Sequence, residues 1–120
     1  MLLQDILREI ETEFSTNWPG EVHFASSIKK PTVDEWLYVD VVPLMSNQLS
    51  YEGCSEDVLG LYVTCYALTK VTAYNLADRV TQFIANKRLN SAYISNSHPV
   101  DQNTISQERY YIKIMFYIKN

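Results

Sequence analysis

The chain has 120 residues and a formal net charge of −4, with 10 Lys and Arg against 14 Asp and Glu. That is the size of one ordinary domain, and a 47% hydrophobic share is enough for a single core without disulfide or metal. The acidic balance argues against a free-standing nucleic-acid binder, which meets phosphate with a basic patch.

Cys54 and Cys65 belong to no paired-thiol or Cys/His ligand motif, so they read as free thiols in a reducing compartment. Met1 leads directly into Leu2, Leu3, Gln4 and Asp5. Neither a secretory signal nor a membrane span is expected, and the protein is expected to be made in cytoplasm or packaged into something assembled there. Nine tyrosines are many for this length. A ring with a polar tip suits surfaces that are wet before assembly and buried after it.

Residues 2–16 read as an amphipathic helix, because Leu2, Leu3, Ile6, Leu7, Ile10 and Phe14 recur at three- and four-residue spacing. Asn17-Trp18-Pro19-Gly20 ends it. A short strand is expected over 21–25 and a Pro31-containing loop over 26–34. A strand follows over 35–42, with Leu37, Val39 and Val41 on one face and Trp36, Tyr38, Asp40 and Val42 on the other. Pro43 closes it, and 44–56, with Gly53, reads as an exposed loop or a projecting hairpin.

The next strand, 57–67, alternates Leu59, Leu61, Val63, Cys65 and Ala67 with Val58, Gly60, Tyr62, Thr64 and Tyr66. Thr69 or Thr72 caps a second helix running to about Lys87, with Ala73, Leu76, Ala77, Val80, Phe83 and Ile84 as its apolar stripe. Lys87 and Arg88 are expected at its C-terminus, opposing the dipole. A short strand over 91–95 and a long loop over 96–107 precede the clearest strand, 108–119. There Tyr110, Ile112, Ile114, Phe116 and Ile118 alternate with Tyr111, Lys113, Met115, Tyr117 and Lys119.

This order predicts an α+β fold over 1–120: a mixed or antiparallel sheet of about four to five strands with two helices on one face. The helices should cover the aliphatic faces. The opposite face then carries Trp36, Tyr38, Val42, Tyr62, Tyr66, Tyr111, Met115 and Tyr117, where a solvated sheet normally shows Lys, Glu, Thr and Ser. Trp36, Tyr38, Tyr62, Tyr66, Tyr111, Met115 and Tyr117 are therefore the candidate subunit or partner interface. The competing expectation is that loops 44–56 and 96–107 fold back over these rings.

No catalytic, cofactor or metal site is expected. His23 and His98 stand alone, without a carboxylate or Cys at ligand spacing. Three glycines leave no nucleophile elbow and no phosphate-cradling loop. Glu52, Glu56 and Asp57 form an acidic cluster that reads as a solvated loop, or as a patch that repels nucleic acid.

The order of elements resembles the tail terminator (tail completion) proteins of long-tailed phages, particularly the lambda-like kind. The resemblance spans roughly residues 2–95 and lies in pattern rather than in any one motif. It is carried by the N-terminal helix, His23-Phe24-Ala25, the Pro31 loop and Trp36-Leu37-Tyr38-Val39-Asp40-Val41-Val42-Pro43. It continues through the polar segment ending in Gly53, Leu59-Gly60-Leu61-Tyr62-Val63, and Ala73-Tyr74-Asn75-Leu76-Ala77-Asp78 leading to Phe83. The family often has glycine before the second helix, where this chain has Leu68-Thr69-Lys70.

The resemblance implies a non-enzymatic virion protein, usually a hexameric ring on the head-proximal end of the tail tube. Such a ring stops addition of tail tube protein, presents a surface to the neck or head-completion protein, and lets DNA pass without specific binding. Another neck or head–tail joining protein is the nearest alternative. A small cytosolic enzyme or ligand-binding domain using the aromatic face as a pocket is the alternative from a different class.

Overall fold

A computed structural model describes residues 3–25, 32–43, 59–90, 92–105 and 109–119. The loop expected over 44–56, the acidic cluster Glu52, Glu56 and Asp57, and Cys54 lie outside the described residues.

The first helix, α1 (Leu3–Asn17), buries Ile6, Ile10 and Phe14, one residue per turn along one stripe. Pro19 and Gly20 then redirect the chain into β1 (Glu21–Phe24). Strands β2 (Trp36–Pro43) and β3 (Leu59–Ala67) follow, then α2 (Lys70–Ile84), β4 (Tyr93–Ile105) and β5 (Arg109–Lys119). The sheet order is β1-β2-β3-β5-β4; β1 runs parallel to β2, and every other pair is antiparallel. The α+β fold with a mixed five-stranded sheet and two helices on one face is as the sequence predicts.

Alternation decides which face the helices cover. Leu37, Val39 and Val41 from β2, Leu59, Leu61, Val63, Cys65 and Ala67 from β3, and Ile112, Ile114, Phe116 and Ile118 from β5 are all buried. They form one core with the α1 stripe and with Ala73, Leu76, Ala77, Val80 and Ile84 of α2. α1 lies over β1 and β2, while α2 lies over β3, β5 and β4. Rings of Phe14, Trp18 and Phe83 join the two helices at centroid distances of 5.1 to 6.4 Å. Burial pushes the Cys65 thiol up to about 12, so it packs as a small apolar side chain rather than as a nucleophile.

Glycine is not needed before α2. Thr69 is extended at the N-cap (φ −127°, ψ 157°), and its Oγ1 accepts from the Thr72 backbone N–H at 3.2 Å. The turn that often carries glycine in the resembled family is closed here by a threonine cap.

Two expectations need correction. The second helix ends at Ile84, not Lys87, because Ala85 turns extended and Asn86 takes φ 60°, a conformation asparagine tolerates better than most residues. Lys87 and Arg88 therefore lie past the cap and do not sit in the last turn. Instead Lys87 pairs with Glu13 of α1 at 2.9 Å, holding that carboxyl below its ordinary range, and Arg88 bridges to Tyr93.

The second correction concerns 96–107, expected as a loop. Residues up to Ile105 belong to edge strand β4, including His98, which pairs with Met115. Register shifts between Ile94 and Ser97 and between Pro99 and Asp101 break the two-residue period. Bulges and proline are devices by which edge strands avoid stray pairing, and they erase the alternation that reveals a strand in sequence.

Candidate functional site

The helix-free face of the sheet gathers all seven ring and Met positions singled out from the sequence. Trp36, Tyr66 and Tyr111 stand opposite one another across β2, β3 and β5. Trp36 stacks on Tyr66 at 4.2 Å with a 12° interplanar angle, and Tyr66 contacts Tyr111 at 6.1 Å. Aromatic cross-strand pairs of this kind each contribute about 0.5–1.5 kcal/mol beyond area burial. His23 of β1 extends the row edge-on to Trp36 at 5.3 Å. A row of four rings thus crosses four strands.

Behind it, Tyr38 faces Thr64, which faces Lys113; next, Asp40 faces Tyr62, which faces Met115. The Lys113 ammonium lies 4.9 Å from the Tyr62 ring centroid. Tyr117 pairs with Gly60, and its backbone N–H donates to Ser95 Oγ at 3.0 Å. Tyr38 is exposed (37%), whereas Trp36, Tyr62, Tyr66, Tyr111, Met115 and Tyr117 are half-buried. Thr64, in the middle of this face, is only 6% exposed. The half-buried rings around it shield this part of the sheet. Burial, with a smaller contribution from Tyr38, raises the Tyr66 phenol above its ordinary value. Residues 96–105, expected as a possible cover for this face, are instead the outermost strand beside it.

Sequence reading missed two features of this face. One is a polar knot at the β1 edge. Glu21 accepts from the Thr32 hydroxyl, from the Thr32 backbone N–H at 3.0 Å and from His23 Nε2 at 2.6 Å. His23 is therefore not isolated: Glu21, two residues before it on a strand, shares its face, and Glu-x-His on a strand was the available signal. The other is Asp40, half-buried between Tyr38 and Tyr62, with no hydrogen bond or ion pair among the described residues.

The Thr32 hydroxyl, His23 and the Thr32 amide together hold the Glu21 carboxyl down at about 2, against an ordinary 4.5. A carboxylate with a depressed folded-state value adds stability that is complete above 4.5 and lost as pH falls from there towards 2. Glu21→Gln is expected to remove this part of the acid sensitivity. Urea unfolding of both proteins across that range checks it: their difference in midpoint should shrink as pH falls, and a constant difference counts against the knot.

Elsewhere, a groove of about 370 Å³ lies between α1 and the segment after α2, lined by Arg8, Glu9, Thr12, Glu13, Arg88, Leu89 and Asn90. Its carboxylates are occupied in structure: Glu9 accepts from the Asn90 backbone N–H at 2.8 Å, and Glu13 holds Lys87. Among the described residues, no three His, Cys, Asp or Glu side chains cluster as a metal site, and no helix is long and apolar enough to cross a membrane.

No protein-family model matches the chain, and no curated protein matches it in sequence. Among solved structures, its fold is similar to a chain of the "Virion of native gene transfer agent (GTA) particle". The TM-score is 0.63 and the identity 9%, over 95% of this chain and 92% of that chain. The likeness is one of fold, and it runs nearly end to end in both.

Proposed function

We propose that this chain is a structural, non-enzymatic subunit of a virion, and more narrowly a tail terminator. It assembles as a ring, hexameric in the resembled family, on the head-proximal end of a tail tube. There it ends addition of tube protein, offers a surface to the neck protein, and lets DNA through its lumen. The observation that carries the reading is the near end-to-end likeness in fold to a chain of a virion. The helix-free face is consistent with it: stacked rings and an Asp40 without a partner among the described residues suit a surface that docks, and the aromatic residues there are the proposed contact.

A ligand-binding domain fits the same face less well. Trp36 and Tyr66 stack at 4.2 Å, so no planar ligand enters between them. Another neck protein shares the core and differs in its neighbour.

Purified protein mixed with growing tail tubes and viewed by negative stain tests the reading. Density capping one end, together with halted growth, is the expected result. Tubes that lengthen at the same rate with bare ends would sink the terminator assignment.

A further inference from the structure

Any assembly larger than a dimer built from one kind of contact needs two different patches on each subunit, which meet head to tail. The helix-free sheet face is one patch, and the molecule carries a second on its opposite side. α2 turns Ala73, Leu76, Ala77, Val80 and Ile84 into the core, so its other side points away from the sheet. On that far side the start of the helix exposes apolar groups: Leu68 at 46%, Val71 at 70% and Tyr74 at 38%. Five large hydrophobic side chains are exposed among the described residues, and three of them fall within these seven positions, three apart. Lys70 stands among them, its ammonium 6.0 Å from the Tyr74 ring, and the first turn holds no acidic residue.

The two patches offer one complementary charge pair, Asp40 on the sheet face and Lys70 on the helix. The sheet face holds Asp40 without a partner among the described residues, and the cations there, Lys113 and Lys119, lie over the Tyr62 and Tyr117 rings. A carboxylate half-buried among rings gains most from a cation brought by whatever covers it. The buried Trp36 indole N–H also has no acceptor among the described residues.

We propose that the start of α2 from a second copy of this chain docks on the aromatic sheet face, with Lys70 meeting Asp40 and with Val71 and Tyr74 seated among the rings. The inference rests on the reading of the chain as a self-assembling subunit and names the two halves of its contact. Because the halves face opposite ways, each copy is left with one free patch for the next, and the assembly propagates until it closes.

Charge reversal tests it, since both positions lie at the surface and neither is in the core. Sedimentation of the full chain, over concentrations spanning its self-association, is compared for wild type, Asp40→Lys, Lys70→Glu, the chain carrying both changes, and Val71→Asp. Each single variant is expected to lose on the order of tenfold or more in association, with an unchanged melting temperature. The doubly reversed chain should recover most of the loss. Mixing Asp40→Lys with Lys70→Glu chains should restore association beyond a dimer, with the two chains alternating, because both contacts between unlike chains are matched and those between like chains are not.

Lys70→Glu and Val71→Asp proteins that associate like wild type would overturn the inference, as would a doubly reversed chain no better than either single one. A wild-type chain that never self-associates would also overturn it. None of these outcomes touches tube-end capping, which is read separately with tail tubes, so failure of the contact and failure of the terminator reading are distinct results.

Discussion

Phe116→Ala is expected to cost about 3–5 kcal/mol of folding stability, the largest single loss available on the sheet. Phe116 is fully buried in β5, opposite Leu61 on β3 and Ser97 on β4, so it lies inside the sheet rather than at an edge. Truncating it removes the ring's transfer energy and leaves a cavity that the strands cannot close, because their spacing is fixed by backbone hydrogen bonds. Domains of this size hold about 5–15 kcal/mol in total, so the variant is left close to its unfolding threshold. Urea unfolding should show a much lower midpoint with an unchanged slope, the signature of lost stability without a change in the surface exposed. Phe116→Leu, which keeps most of the volume, should lose only about 1–1.5 kcal/mol. If both substitutions cost the same small amount, the ring is not the centre of the core.

The alternation that places Phe116 inside also explains what could be read in advance. In β2, β3 and β5 every second residue is apolar and, Tyr110 and the closing Pro43 apart, buried, so face assignment follows from sequence. The α1 stripe of Ile6, Ile10 and Phe14 is legible for the same reason. β4 was not, because two register shifts and Pro99 scramble its period, and an edge strand has only one neighbour to impose an alternation.

The ends of α2 show a related contrast. Thr69 announces its own cap, since a hydroxyl three residues ahead of Thr72 needs no tertiary information. The helix end depends on Asn86 adopting a left-handed conformation, and the Tyr93 hydroxyl, which donates to Asn86 Oδ1 at 2.8 Å, helps to fix that residue. The apolar stripe alone runs past that point. In the candidate site the ring positions were legible because strand parity puts them on one face. Their stacking, the Glu21 knot and the setting of Asp40 opposite Tyr62 were not, since they depend on which strands become neighbours. The parallel pairing of β1 with β2 brings His23 onto Trp36, and nothing in the local sequence encodes it.

Tyr62→Ala and Tyr117→Ala are expected to damage assembly far more than folding. Both rings lie on the helix-free face and are half-buried, so neither truncation opens a hole in the core. Tyr117→Ala keeps the backbone N–H bond to Ser95, and Tyr62→Ala gives up the Lys113 cation contact, an interaction of about 0.5–1 kcal/mol near the surface. The melting temperature should therefore fall by only a few degrees, at roughly 5 °C per kcal/mol for a domain near this size. At a contact, a buried tyrosine is a common anchor, and losing one costs about 2 kcal/mol or more of binding, on the order of a thirtyfold loss of association. The measurement is a pair: ring or oligomer formation by sedimentation and negative stain, and thermal unfolding of the same samples. Loss of assembly with near-native melting marks the face as a contact. Parallel loss of both marks the rings as part of the fold's own stabilising layer, and the docking role passes to some other surface.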